Sequence, residues 1–324
     1  MNVHVIQNPV AGQAGAAGEV EAALRLLRDS GWRLTVHETT AQGDTTRFAA
    51  AAAVEGADAV VTVGGDGSLS EAANGLVGTN TALGLIPMGT GNVWAAQLGL
   101  MGSPTIIHRP DPISAARALV SSQRKLIDVG IATSQGYEKY FMLWAGIGLD
   151  ATITQVIETE AKPVKRRFGQ VAYVYAAFRP VLEARGTRVK LRVDGKPHRH
   201  RVMFMVVSNI QYYAGTYLAP EAQADDGMFN VYLFDGDSWV DSVRHIAQIA
   251  LRRHQGDPTV ETFRARELEI VADESLAVHL DGDPFVRTPL NIRVAPRALT
   301  VLLPASAPVD LFSENLSMSR PASS

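Results

Sequence analysis

The sequence predicts an α/β N-terminal domain, with a parallel sheet and Gly-rich phosphate loops, followed by a mostly antiparallel β-sandwich C-terminal domain. In the first third of the chain, a pattern of strand, short loop and helix occurs four times, which is typical of a parallel sheet covered on both faces. After about Leu126, the pattern changes to short strands and hairpin turns. The length of 324 residues is sufficient for two domains of ordinary size.

The elements of the first domain follow from hydrophobic periodicity and from the residues that end each segment. The helix Ala17–Asp29 has Val20, Ala23, Leu24 and Leu27 on one face, and Gly31 marks its end. The same reasoning predicts strands at Val3–Ile6, Leu34–His37, Ala59–Val63 and Ala82–Ile86, and helices at Thr45–Glu55, Leu69–Leu76 and Val93–Leu98.

The second domain begins with hairpin patterning. Val189, Leu191 and Val193 alternate with basic residues, and an Asp194-Gly195 turn leads to the next strand. The predicted strands after that turn are Arg201–Val207, Met228–Phe234, Leu268–Ala272, Leu276–Leu280, Leu290–Val294 and Leu299–Leu303, with helices at Gly169–Arg185 and Trp239–Arg253. We predict domains at residues 1–125 and 126–304, and a tail at 305–324 that packs on the first domain or is disordered.

Composition excludes several classes of protein. With 46% hydrophobic and 19% charged residues, the chain is neither disordered nor collagen-like nor a coiled coil. A net charge of −3 gives no reason to expect a nucleic-acid partner, and the lack of cysteine excludes disulfides, thiolate zinc sites and a cysteine nucleophile. No signal peptide or transmembrane segment is predicted, so we expect a cytoplasmic protein that meets a membrane only from outside.

Three glycine-containing loops follow predicted strands, at residues 8–15, 64–68 and 87–92. Ligands of open parallel sheets bind beyond the carboxyl ends of the strands, and glycine lets backbone N–H groups approach a phosphate closely. Asp66 lies within one of these loops, where a carboxylate tolerates phosphate only with a cation between them; alternatively, it caps the following helix. The loops match neither the P-loop nor the dinucleotide fingerprint.

The segments Gly64–Leu69, Asn74-Gly75-Leu76 and Pro87–Asn92 resemble the diacylglycerol kinase catalytic-domain family, which includes bacterial lipid kinases and sphingosine and ceramide kinases. The similarity covers nearly the whole chain. Its other segments are Asn8-Pro9, Thr39 before Gly43-Asp44, Glu71, Trp144–Ala151, Phe168-Gly169 with Tyr173, Pro220-Glu221-Ala222, Asp225-Asp226-Gly227 and Leu280–Asp283.

The resemblance implies that ATP binds between the two domains, with Asp66 acting on its phosphates through Mg²⁺. It also implies a second, structural Mg²⁺ at the Asp226 carboxylate and the carbonyls of Gln223 and Met228; alternatively, or in addition, this segment is a β-turn. The implied nucleotide-binding residues are Asn8, Thr39, Gly64, Gly65, Asp66, Gly67, Ser68, Leu69, Ser70, Gly89, Thr90, Gly91 and Asn92.

The segment Leu276–Asp283 contains the predicted catalytic acid. Period-2 alternation predicts that Leu280 faces the core and that His279 and Asp281 face outward, with Asp283 presented beyond Gly282. The family has Asp-Gly-Glu here, with the glutamate as general base, so the resemblance assigns that role to Asp283, whose side chain is one methylene shorter. The alternative is a type I′ hairpin turn with solvated carboxylates.

Two further features remain open at this point. The basic residues Lys162, Lys165, Arg166 and Arg167 either contact anionic lipid or form a solvated loop. The apolar residues of the helix that follows line an acyl-chain pocket or belong to the core: Val171, Val174, Tyr175 and Phe178. His198 and His200 are predicted to be exposed rather than metal-bound.

The leading hypothesis is an ATP- and Mg²⁺-dependent lipid kinase at the inner face of the membrane, with diacylglycerol as the acceptor and Asp283 as the base. One alternative is a nucleotide- or lipid-binding regulator with weakened catalysis, because Asp283 replaces glutamate. The other is a kinase of a soluble polyol or an NAD-like acceptor. The resemblance is also compatible with a homodimer.

Overall fold

The computed structural model describes residues 1–9, 17–89, 91–101, 111–157, 159, 179–213 and 216–313. Within these ranges the α-helices described from end to end are α1 Ala17–Asp29, α2 Asp44–Val54, α3 Asp66–Leu76, α4 Val93–Gln97, α5 Pro112–Val120, α6 Leu149–Val156 and α7 Trp239–Ala250, and residues 179–183 are also helical. The strands of the first domain are β1 Asn2–Gln7, β2 Arg33–Glu38, β3 Ala59–Gly64 and β4 Ala82–Pro87. The remaining strands are β5 Gln123–Ser134, β6 Tyr137–Phe141, β7 Trp144–Gly148, β8 Thr187–Val193, β9 Lys196–Ser208, β10 Tyr212–Tyr213, β11 Thr216–Tyr217, β12 Phe229–Asp235, β13 Val260–Ala265, β14 Glu267–Ala272, β15 Val278–Leu280, β16 Asp283–Pro284 and β17 Leu290–Leu303.

The first domain is the predicted parallel sheet with helices against it. Its strands pair in the order β2-β1-β3-β4, and every pair is parallel. Strands β3 and β4 are buried along their whole length, as expected when helices cover both faces. Helix α1 has the predicted bounds and buries the predicted apolar face.

The second domain is the predicted antiparallel sandwich-like region. Strands β7, β9, β8 and β14 pair in that order with antiparallel neighbours, and β12 adds to the other side of β9. In β8, Val189 and Leu191 are buried, whereas Arg188, Lys190 and Arg192 are exposed. The fold class predicted from the sequence is therefore confirmed.

One long strand joins the two sheets. The sequence predicts separate strands at Leu290–Val294 and Leu299–Leu303, but the structure has a single strand, β17, with an irregularity between Ala295 and Leu299. Its first half pairs with β14 of the sandwich, and Val301 pairs with Leu83 of β4 in parallel. In the sequence, the residues of this irregularity interrupt the strand pattern, so two strands are predicted. In the structure, the partner strands on both sides of β17 keep the chain extended through the irregularity.

The predicted domain boundary after residue 125 falls within β5, which pairs with β17 over almost its whole length. The boundary therefore remains a prediction. The described part of the predicted tail contacts both regions. The Ser306 hydroxyl donates to the Leu98 carbonyl of the first, and the Leu311 carbonyl accepts from the Ala224 N–H of the second.

Candidate active site

A cleft of about 670 Å³ lies where the first domain meets the turn between β15 and β16. The loops after β1, β2, β3 and β4 form one wall, and the turn Asp281–Asp283 forms the other. The cleft brings together nine of the residues predicted from the sequence: Asn8, Thr39, Gly65, Asp66, Gly67, Ser68, Gly89, Gly91 and Asp283. These residues are far apart in the chain, and they converge because the parallel strands end at the same edge of the sheet.

Four other predicted nucleotide-binding residues do not line the cleft. Gly64 ends β3, and the buried Leu69 and Ser70 belong to the inner face of α3. The buried Asn92 supports the cleft indirectly, since its side-chain amide accepts from the Gly89 N–H at 3.0 Å and donates to the Gly89 carbonyl. Thr90 lies outside the described residues.

Close packing of two loops explains why glycine occupies position 89. A Cβ atom added there would lie 2.7 Å from the Gly65 Cα, which is shorter than any ordinary contact. The loops after β3 and β4 can therefore touch only because neither has a side chain at the contact. The result places the N-terminal end of α3, with its unpaired N–H groups and its positive dipole, at the cleft.

Asp66 holds the two loops in place. Helix α3 begins at Asp66, three residues earlier than predicted, and Gly65 is its N-cap residue, so the interpretation of Asp66 as the cap of its own helix is wrong. Instead, its carboxylate accepts hydrogen bonds from the N–H groups of Val93 at 2.9 Å and Trp94 at 3.2 Å, at the start of α4. Burial raises the pKa of Asp66, and these two hydrogen bonds oppose that shift.

The turn Asp281-Gly282 connects β15 to β16 and has the geometry of a type I′ hairpin. Both residues have positive φ, 52° and 90°, and Leu280 pairs with Asp283 across the turn. The predicted hairpin is thus present. It also orients Asp283 toward the phosphate loop, because a methyl group added at Gly67 would lie 3.8 Å from Asp283 Oδ1.

The prediction that Asp281 faces solvent is wrong. Asp281 is only 4% exposed, and its carboxylate accepts from the backbone N–H groups of Met142, Leu143 and Trp144 at 2.8, 2.8 and 3.1 Å. Alternation along β15 stops at this residue, because its left-handed φ turns the side chain inward toward three otherwise unpaired donors. Burial raises the pKa of Asp281 to about 6, and the three hydrogen bonds limit the shift.

His279 is also buried rather than outward-facing. One ring nitrogen, Nε2, lies 2.6 Å from Asp150 Oδ2, and the other, Nδ1, accepts from the Gly282 N–H at 3.2 Å. Accepting at Nδ1 leaves Nε2 as the protonated nitrogen that donates to Asp150. The ring lies over Gly146 of β7, where a Cβ would overlap both the ring and the Asp150 carboxylate.

Sequence reasoning missed Lys139. This residue lies on β6, and its Nζ is 3.2 Å from Asp283 Oδ2. Strand β6 is tied to the phosphate-loop helix, because the Asn74 side chain on α3 both donates to and accepts from the Tyr140 backbone at 2.9 Å. A lone lysine on a short strand has no sequence signature, so only the fold places a cation beside Asp283.

A second cavity, of about 440 Å³, is mainly apolar. It is lined by Leu149, Asp150, Ile153, Phe204, Tyr213, Thr216, Ile246, Ile249, Ala250 and Arg252. Burial favours the neutral acid, but the interaction with His279 and the hydrogen bond from the Tyr213 hydroxyl keep the pKa of Asp150 below its usual value. Since Asp150 contacts His279 and His279 contacts the Asp281-Gly282 turn, one side chain connects this cavity to the cleft.

The segment predicted to hold a structural Mg²⁺ is a turn next to an acidic cluster. Asp226 accepts from the Met228 N–H at 2.9 Å and pairs with Arg264. Asp128 is close enough to Asp225 and Asp226 for their charges to raise its pKa, although burial is the main cause of that shift. These carboxylates are oxygen donors of the kind that Mg²⁺ prefers, but a cation at Asp226 requires Arg264 to move from one carboxylate oxygen.

Other predictions have different outcomes. The basic cluster Lys162–Arg167 and the apolar residues from Val171 to Phe178 lie outside the described residues. His198 is exposed as predicted, whereas the prediction that His200 is exposed is wrong, because its side chain is only 12% exposed and lies 3.4 Å from Glu261. One potential ligand atom from each of His198, His200 and Glu261 lies within 4.8 Å of the other two, so whether this group binds a metal stays untested. Among the described residues, no helix is long and apolar enough to span a membrane.

Comparison with known proteins supports the family resemblance found in the sequence, over both regions of the chain. Residues 2–132 match the family model described as the diacylglycerol kinase catalytic domain, and residues 145–303 match the YegS C-terminal NAD kinase beta sandwich-like domain. A diacylglycerol kinase of Mycobacterium tuberculosis is 30% identical over 305 residues, covering 93% of this chain and 95% of that protein. A protein of Pseudomonas putida named "Probable lipid kinase YegS-like" is 30% identical over 90% of this chain and 92% of its own length.

A diacylglycerol kinase of Bacillus subtilis is 29% identical, with 86% of this chain and 88% of that protein aligned. The crystal structure of a diacylglycerol kinase from Bacillus anthracis superposes with a TM-score of 0.69 at 22% identity, over 95% of this chain and 98% of the other. At that identity the superposition shows the shared fold.

Proposed function

This chain belongs to the diacylglycerol kinase catalytic-domain family and is a lipid kinase, and we propose that its acceptor is diacylglycerol and its product phosphatidic acid. Membership of this kinase family implies that ATP is the phosphoryl donor and that a divalent metal ion takes part. The observation that carries the proposal is the position of Asp283, which faces the phosphate loop and is linked through its turn to an apolar cavity.

In this proposal the phosphates of ATP lie against the N-terminal end of α3, the Gly65–Ser68 loop, Gly89 and Gly91. Each oxygen of the Asp66 carboxylate accepts one N–H group and keeps a lone pair for a further ligand. Because burial of this carboxylate favours a neutralising partner, the site fits a divalent cation, which we propose is Mg²⁺. When bound, the ion would neutralise charge on the transferred phosphoryl group.

We propose that Asp283 accepts the proton of the attacking hydroxyl. Of the two acids in the turn, Asp281 is committed to three backbone donors, whereas Asp283 is partly exposed in the cleft. Lys139 holds the Asp283 carboxylate toward the cleft through its ion pair. Because the side chain is one methylene shorter than glutamate, the acceptor hydroxyl must lie closer to the backbone of residue 283. We propose that Lys139 and the tight turn hold the Asp283 carboxylate at the position this requires.

The apolar cavity is the proposed site for the acyl chains and glycerol backbone of the acceptor. Its lining is mostly aliphatic and aromatic, and Asp150 and the Tyr213 hydroxyl are its polar groups near the link to the catalytic turn. A lipid with its chains in the cavity and its hydroxyl end toward His279 would approach the turn that carries Asp283.

The test is an acceptor screen. Purified protein is incubated with labelled ATP, Mg²⁺ and mixed micelles of diacylglycerol, sphingosine, ceramide or phosphatidylglycerol, and lipid products are separated and counted. Phosphatidic acid as the main product supports the proposal, whereas preference for another lipid refutes the choice of acceptor.

A catalytically weakened regulator is the second candidate, motivated by the aspartate at position 283. The Asp283→Glu variant separates the two functions. A gain in kcat of tenfold or more would indicate a weakened active site, and no turnover in either form would favour a binding role. A soluble polyol kinase would instead show turnover without micelles.

A further inference from the structure

Helix α7 exposes its apolar face and buries its polar one. Trp239, Val240, Val243 and Ile246 are 45%, 54%, 41% and 38% exposed, and Leu251 directly after the helix is 65% exposed. These positions follow helical spacing, so they form one stripe, which we call the α7 apolar face. The fully buried residues of the helix are Ser242 and His245. A surface helix of a water-soluble domain normally has the opposite orientation.

The orientation of α7 is fixed by specific contacts at its start, along its side and on its buried face. Ser238 and Asp241 form a capping box at its start. Arg244 donates to both carboxylate oxygens of Asp257, and the His245 ring is 2.7 Å from the Asp235 carbonyl. Rotation of the helix to bury the α7 apolar face would break all of these contacts, so the face stays exposed.

The α7 apolar face continues into the apolar cavity. Ile246 belongs to both surfaces, and Ile249, Ala250 and Arg252 line the cavity from the same helix and its end. A lipid acceptor resides in a bilayer and must pass from it into the cavity. A rigid apolar stripe at the edge of that cavity has the position needed to contact the bilayer while the lipid is transferred.

The charges near the α7 apolar face favour an anionic membrane surface. Arg252 and Arg253 are exposed directly after the helix, where long basic side chains can reach lipid phosphates. The acid within the helix, Asp241, is held by the cap, with its carboxylate accepting from the N–H groups of Asp237 and Ser238. Tryptophan at the start of the stripe suits the interface between lipid headgroups and acyl chains.

We propose that the α7 apolar face inserts into the interfacial region of an anionic lipid bilayer and so places the cavity at the membrane surface. The partner of the α7 apolar face in this proposal is the lipid bilayer itself. This inference rests on the lipid-kinase function but is independent of which lipid is phosphorylated. It describes a helix lying in the interface plane, with binding driven by buried apolar area and by attraction to anionic lipids.

The first experiment measures binding without turnover. Phosphatidylcholine vesicles with phosphatidylglycerol are mixed with the protein and floated, and the partition coefficient is compared for wild type, Val240→Glu/Val243→Glu and Val54→Glu. We expect the double variant to bind at least about tenfold more weakly, because two apolar side chains are lost from the contact and two negative charges are added. Val54 is 91% exposed at the end of α2, so its variant is the matched control and should bind like wild type.

The second experiment separates docking from catalysis. With a short-chain diacylglycerol dissolved as monomers, the double variant should keep the wild-type kcat/KM, whereas its activity on vesicle-embedded diacylglycerol should fall in parallel with binding. Absence of diacylglycerol kinase activity in every form would refute the proposed acceptor and leave the flotation result as the test of docking.

Three outcomes overturn the inference: equal vesicle binding by wild type and the double variant, an equal loss in Val54→Glu, or loss of activity on monomeric acceptor as well. A dimer in sedimentation analysis that the double variant abolishes, without vesicle binding by either, would assign the α7 apolar face to a second copy of the chain. Because the substituted side chains are exposed, unchanged thermal unfolding is expected and confirms that each variant is folded.

Discussion

Replacement of Asp281 by asparagine tests the electrostatic cost of the buried acid beneath the catalytic turn. Asparagine has nearly the same shape as aspartate but carries no charge and does not titrate. It also loses one acceptor oxygen opposite the backbone donors of Met142, Leu143 and Trp144. That loss lowers stability by a similar amount at every pH. A difference that changes with pH therefore reports the charge of Asp281 alone.

The magnitude follows from the pKa of Asp281 in the folded and unfolded states. Burial raises its pKa to about 6 in the folded protein, against about 3.9 in an unfolded chain. Between these values the folded protein binds more protons at this site than the unfolded chain, so stability falls as the pH rises through that interval. From about pH 4.5 to about pH 7.5, wild type should lose roughly 2 kcal/mol relative to Asp281→Asn.

The measurement is urea unfolding of both proteins at the two pH values, with the free energies of unfolding extrapolated to water. Other titrating groups are common to both proteins and cancel in the comparison. A difference between the proteins that stays constant within about 0.5 kcal/mol would show that Asp281 does not titrate in this interval. A difference that grows in favour of wild type at high pH would show that the three donors stabilise the charge more than burial destabilises it.

Three further predictions concern the cleft and the acidic turn. Asp283→Asn should lower kcat by at least about 100-fold, the usual contribution of a general base, with ATP affinity unchanged in equilibrium titration; undiminished kcat removes Asp283 from the role. Gly89→Ala places a Cβ 2.7 Å from the Gly65 Cα, so urea unfolding should show a loss of about 1–3 kcal/mol. Gly18→Ala in α1, with no atom within 4 Å, is its control and should not destabilise; equal losses would contradict the loop argument. Asp226→Asn should remove a Mg²⁺-dependent rise in melting temperature; an identical rise in both proteins would place the metal elsewhere.

The proposed division of labour in the turn depends on where each carboxylate is held. Asp281 is fixed by backbone donors and His279 by Asp150, so both act on the turn as positioning residues. Asp283 remains in the cleft with Lys139 beside it. In this proposal, two acids of one hairpin have different roles: Asp281 positions the turn, and Asp283 accepts the proton.

Most of the fold could be predicted from local patterns. Helix α1 has the predicted bounds, and the four parallel strands and the alternation in β8 are present. Strands β5 and β7 were not predicted individually, because β7 is buried throughout and the middle of β5 is continuously buried, so both lack alternation. The single strand β17 was predicted as two, because its irregularity resembles a loop when its partner strands are unknown.

For the candidate site, the sequence by itself determined the glycine loops and the Asp-Gly hairpin, because backbone conformations that only a few residue types tolerate leave a local signature. Tertiary structure alone decided that Asp66 caps α4, that Asp281 and His279 face inward and that Lys139 accompanies Asp283. Each of these contacts joins residues far apart in the chain. A buried polar group takes the partner that the fold brings within hydrogen-bonding distance, and no local periodicity encodes that partner.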